Sequence, residues 1–179
     1  MRLIDRHPIL DDALDPWAAA LGAQRIAYTG HAYRVFNFAR RFLSSDRMDD
    51  ALAVTSAFHD IGIWSDGTFD YLAPSASRAR DYVAERMPDV SGDLVADAIE
   101  NHHRLRSIRG RSDADVVEVF RRADLVDVSR GWLRIGLDRG FHRDVVAAFP
   151  YAGFHGVLVR TALSWFVKHP LRPLPMMRL

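Results

Sequence analysis

Apolar residues recur at helical spacing along most of this chain, and no segment of four to eight residues alternates cleanly between apolar and polar. Val35, Phe38, Ala39 and Phe42 form one stripe; Leu94, Val95, Ala98 and Ile99 form a second; Val116, Val117, Phe120 and Ala123 form a third. This pattern predicts an all-α, single-domain helical bundle over residues 1–179, with helices near 11–21, 25–44, 49–61, 75–86, 91–104, 113–128 and 157–168. The core is expected over about residues 25–130. C-terminal helices and an extended tail follow over 131–179, and the three prolines of "HPLRPLPMMRL" rule out helix at the very end. Residues 136–156, with "GFHRD" and "YAGFHG", read as a lid or as irregular packing.

Polar residues inside these stripes carry the chemistry. The run Ala57-Phe58-His59-Asp60-Ile61-Gly62 places an imidazole and a carboxylate beside each other after an almost wholly apolar stretch. A buried ionised carboxylate must be paired, protonated or metal-bound. His31 lies four residues before Val35 and seven before Phe38, so it faces the core. His102 falls four after Ala98, His103 four after Ile99, and Asp124 four after Phe120. Several helices thus send nitrogen and oxygen donors inward, a mixture that suits zinc, manganese or iron better than calcium.

The order His31, His59-Asp60, Asp124, set in "GHAYRVFNFA", "AFHDIGIW" and "RRADLVD", resembles the HD-domain superfamily of metal-dependent phosphohydrolases over roughly residues 25–130. The resemblance implies a bundle with the metal between its central helices, held by His31, His59, Asp60 and Asp124. It implies one divalent transition metal, and leaves a second open: "AIENHHRLR" offers His102 and His103, but no histidine occurs between Asp60 and His102, where two-metal members have one more. The implied reaction is hydrolysis of a phosphoester or nucleotide by metal-activated water, with Asp60, Asp124 and His103 as the catalytic groups. The same superfamily includes hydratases of small nitriles such as cyanamide, whose general look "HDIG…TFDYL.PS" shares, as well as diiron oxygenases. A non-catalytic ligand-binding bundle is the remaining alternative.

Composition narrows the choice. With no cysteine, thiolate metal sites and a cysteine nucleophile are excluded. The net charge of +1 lacks the excess expected of a nucleic-acid binder, and 23 of the 24 basic residues are arginine, so any phosphate clamp should be arginine. No apolar run approaches a membrane span and the start lacks a signal-peptide core, so a cytoplasmic enzyme with a small-molecule substrate is expected, without a membrane partner and with homodimerisation open.

The candidate substrate contacts are Arg34, Arg104, Asp66 and Thr68. Arg34, one turn after His31, reads either as a phosphate clamp or as the partner of Asp60 or Asp127; Arg121 has the same ambiguity. Asp66, Thr68, Asp70 and Tyr71 lie in the loop that leaves Gly62, so that loop should pass the metal. "RSIRGRSD", residues 106–113, is expected to form a basic rim. Asp127 reads as a surface charge, and the four tryptophans read as core, with Trp64 placed to floor the pocket.

Overall fold

The computed structural model describes residues 2–108, 110 and 115–177. Among these there is no strand, and ten α-helices with two short 3-10 turns build the bundle. They are α1 (Pro8–Leu14), α2 (Ala18–Leu21), α3 (Arg25–Leu43), α4 (Asp49–Phe58), α5 (Gly62–Ser65), α6 (Leu72–Arg86), α7 (Gly92–Asn101), α8 (Val116–Val128), α9 (Arg139–Ala148) and α10 (Phe154–Lys168). None is long and apolar enough to cross a membrane.

The central helix is α3, packed chiefly against α8 and α4, and it is buried on almost every side. Its polar residues are tolerated there because each is partnered. Asn37 exchanges hydrogen bonds with the Ile4 backbone at 2.8 and 2.9 Å, and Arg40 donates to Asp49 at 2.7 Å. Tyr28 donates its hydroxyl to the Ala57 carbonyl at 2.9 Å, tying α3 to the end of α4. α7 completes the core against α6 and α8; Ser91 caps its first turn by accepting from Leu94 N.

Several boundaries differ from the sequence reading, each for a local reason. The first helix begins at Pro8, suited to the first helical position, and is interrupted by a 3-10 turn at Asp15–Trp17. α6 begins at Leu72, not Ser75, because Pro74 falls in the first turn, where its missing N–H breaks no helical bond. Within residues 136–156, expected as a lid or irregular packing, Arg139–Ala148 form α9, whose N-cap Asp138 accepts from Phe141 N. α10 packs through Leu158, Ala162 and Trp165, but Phe166 is exposed. Trp132 is not core either: it is 90% exposed, beside the left-handed turn at Arg130 and Gly131. The expected basic rim over 106–113 lies largely outside the described residues, as does the expected start of α8 at Asp113.

Candidate metal centre

Two of the predicted helices end early, and the early ends build the site. α4 stops at Phe58 and α7 at Asn101, so His59-Asp60 and His102-His103 occupy tight turns past two helix C-termini. A terminal turn leaves backbone carbonyls without helical partners. Here one carbonyl of each turn is used by a histidine ring: His59 Nδ1 lies 2.9 Å from Ser56 O, and His102 Nδ1 lies 2.6 Å from Ile99 O. A carbonyl can only accept, so both Nδ1 atoms must carry hydrogen. Each neutral ring then presents a bare Nε2 lone pair to the interior.

His31 is set the same way by a different partner. Its Nδ1 lies 2.6 Å from Asp127 Oδ2, and its Nε2 lies 2.8 Å from His59 Nε2. Around this pair, Asp60 Oδ2 is 3.5 Å from His31 Nε2 and 3.7 Å from His59 Nε2, while Asp124 Oδ1 is 3.7 and 3.8 Å from them. The second oxygens of both carboxylates turn to the other histidines: Asp60 Oδ1 is 3.4 Å from His102 Nε2, and Asp124 Oδ2 is 3.8 Å from His103 Nδ1. Two donor groups therefore share Asp60 and Asp124. Asp60 Oδ1, Asp124 Oδ1 and His102 Nε2 are buried with no hydrogen-bond partner. Lone pairs and carboxylates facing one another without an intervening donor are stabilised by a cation, and this donor set could hold a metal ion.

The electrostatics show how closely the groups are coupled: burial opposes the charged form of His102, but its bond to Asp60 and the charge of Asp124 raise its pKa above the ordinary histidine value, so a cation there would compete with a proton. Burial pushes the His31 pKa down, but its bonds to Asp127 and Asp60 outweigh this and raise it to about 9. Burial lowers His59 to about 3, opposed by Asp60 and helped by the charges of His31 and His102. Burial raises the Asp124 carboxyl to about 6, although His102 and His31 pull it down. Asp60 stays well below the usual carboxylate range: burial opposes ionisation, but His59, His102 and His31 surround it. Without a metal, one proton on His31 is thus what relieves the Nε2–Nε2 contact.

The described residues bring His31, His59, Asp60, Asp124, His102 and His103 together. His103 is the rim member, its side chain 18% exposed, with Nε2 held 2.6 Å from the Tyr71 hydroxyl. Tyr71 reaches it because Gly62 has no side chain: a Cβ there would meet Tyr71 O at 2.8 Å. Trp64 packs on Tyr28 at 4.8 Å between ring centres, behind the histidines.

The substrate contacts fare differently. Arg34 is wholly buried behind His31, donating from Nε to Asp127 Oδ1 at 2.5 Å, from Nη2 to Asp127 Oδ2 at 3.0 Å, and from Nη1 to the Phe149 and Pro150 carbonyls. It is an ion-pair partner, not a phosphate clamp. Asp127, expected at the surface, is fully buried because α8 sits between α3 and α7; His31 and Arg34 overcome the effect of burial and hold its pKa down at about 2. Its backbone carbonyl also lies 3.0 Å from His155 Nε2. Arg121 is likewise committed, to Glu118 at 2.5 and 2.9 Å.

Asp66 and Thr68 do not bond to the cluster. Gly67, at φ +61°, turns the chain outward, so that Asp66 pairs with Arg78 at 2.9 Å and Thr68 accepts from Asp70 N at 3.1 Å. Arg104 follows His103 directly, with Nε donating to Asn101 Oδ1 at 2.7 Å. Asp127 and Tyr71 are the residues whose part at the site sequence reasoning undervalued. The spacing of Asp127, three after Asp124 on the same helix, was the available signal. No family model, curated protein or solved structure matches the chain.

Proposed function

We propose that this chain is a metal-dependent hydrolase of the HD-domain type, acting on a phosphoester or nucleotide. The observation that supports it is the set of three buried histidines whose Nδ1 atoms are tied to acceptor-only partners, so that all three Nε2 atoms turn toward two carboxylates. His31, His59, Asp60 and Asp124 would hold a divalent ion, whose chemistry when bound would be to lower the pKa of a water and polarise a phosphoryl oxygen. Asp124, whose two oxygens face both histidine pairs, would accept the proton of an attacking water. His103, the rim member among the described ligand candidates, has its ring fixed by Tyr71 and would meet solvent or the leaving group as a neutral imidazole, since burial and the charge of His102 hold its pKa well below the ordinary histidine value. Since Arg34 and Arg121 are committed elsewhere, the phosphate charge falls to the metal centre itself, which favours use of both donor groups and a second ion at His102 and His103.

Hydration of a small nitrile is the second reading. It is favoured by the commitment of both buried arginines, because a neutral substrate needs no clamp. Metal-reconstituted protein assayed on nitrophenyl phosphates, nucleoside monophosphates and cyanamide distinguishes the two. Phosphoester turnover that disappears in Asp124→Ala is the expected result. Cyanamide hydration with no phosphoester turnover would select the second reading, and activity on neither would remove both.

A further inference from the structure

The C-terminal segment leaves a surface that the metal centre does not use. No aspartate or glutamate occurs after Asp144, whereas Arg160, Lys168, Arg172 and Arg178 do. Within α10 only Phe154 is fully buried. Val159, Leu163, Phe166 and Val167 are exposed, as is Leu171 beyond the helix, ranging from 49% at Phe166 to 96% at Leu171. At about 100° per residue, the four helical positions form one stripe about 100° wide. On one flank, Leu158, Ala162 and Trp165 dock α10 onto Ile63, Phe69 and Tyr71. On the other run Arg160, Ser164 and Lys168, and the two cations have no hydrogen bond or ion pair among the described residues.

A contiguous apolar stripe of this kind on a folded chain marks an interaction surface. We propose that the outer face of α10 and the tail after it bind an anionic lipid surface, with the helix lying in the interface plane. Charge complementarity selects this occupant. A second copy packed face to face would set the cationic flank against a like-charged segment that contains no acidic residue. An anionic headgroup layer pairs with Arg160 and Lys168 while its acyl boundary takes the apolar stripe. No described helix is long and apolar enough to span a membrane, so the expectation of no membrane partner, which rested on the lack of an apolar run, bears on spanning and not on binding at the surface.

The test is co-sedimentation of the full chain with vesicles of phosphatidylcholine alone and with vesicles that also contain phosphatidylglycerol. Partitioning onto the anionic vesicles should be stronger by about tenfold or more, and should weaken with added salt. The double variants Leu163→Gln/Val167→Gln and Arg160→Gln/Lys168→Gln should each lower it by about tenfold, with helicity unchanged because all four side chains are exposed. No binding, or equal binding to both vesicle types, would overturn the proposal. So would a concentration-dependent dimer, dissolved by Leu163→Gln/Val167→Gln, in protein that ignores vesicles. The wild-type comparison decides the matter even if a variant fails to fold.

Discussion

Replacing Asp127 by asparagine keeps the shape of the side chain and removes its charge, which isolates what that carboxylate does. Its two oxygens receive His31 Nδ1 at 2.6 Å and Arg34 at 2.5 and 3.0 Å, all three side chains being fully buried. An amide keeps one acceptor oxygen and turns an NH2 group toward a donor. The Arg34 guanidinium is left as an uncompensated buried charge, a loss of about 3–5 kcal/mol of folding stability. His31 loses the partner that fixes its tautomer, which should weaken metal affinity by about 10- to 100-fold. Denaturant unfolding of the metal-free variant reads the first effect, and chelator competition on the folded variant reads the second. Arg34→Ala is the companion: it should destabilise by a similar amount, yet leave kcat/KM at saturating metal within about threefold, since Arg34 faces away from the shared donor groups. Asp127→Asn that matches wild type within about 1 kcal/mol and holds metal equally well would refute this account of the Arg34–Asp127–His31 chain.

Two further outcomes follow from the same geometry. Asp60→Ala removes the carboxylate shared by both donor groups, so metal retention and activity should be lost together while helicity persists; measured metal content and circular dichroism check this, and retained metal would contradict it. With the folded His31 pKa raised from 6.5 to about 9, metal-free protein carries that proton at neutral pH, and its stabilising contribution is lost as pH rises through about 9. Metal must displace the proton, so apparent affinity should rise by about tenfold per pH unit toward pH 9 and then level off, as titration calorimetry in two buffers of different ionisation enthalpy would record.

The bundle and the inward-facing polar positions were legible because burial forces helical periodicity, and a polar residue inside an apolar stripe stands out. His31, Asp124, His102 and His103 were found in this way. The helix ends were not legible: nothing in "AFHDIGIW" or "ENHHRLR" shows that the helix stops just before the His-Asp or His-His pair, because the Nδ1–carbonyl bonds made past the stop need the fold. Arg34 shows the limit of face assignment. Its inward direction was readable, but a guanidinium aimed at substrate and one aimed at a carboxylate share the same spacing, and only the packing of α3 against α8 separates them. Tyr71 was placed near the histidine cluster by its loop, while Asp66 and Thr68 in that loop were carried away by the turn at Gly67.

The most direct test of the central claim is the metal content and metal-dependent stability of protein purified without chelator. At least one equivalent of zinc, manganese or iron per chain is expected, with a thermal midpoint that falls on its removal and recovers on its return, and with both effects absent in a His31→Ala/His59→Ala variant. Protein that is isolated without metal, and gains no thermal stability from any of the three, would contradict the reading of these histidines and aspartates as a metal centre.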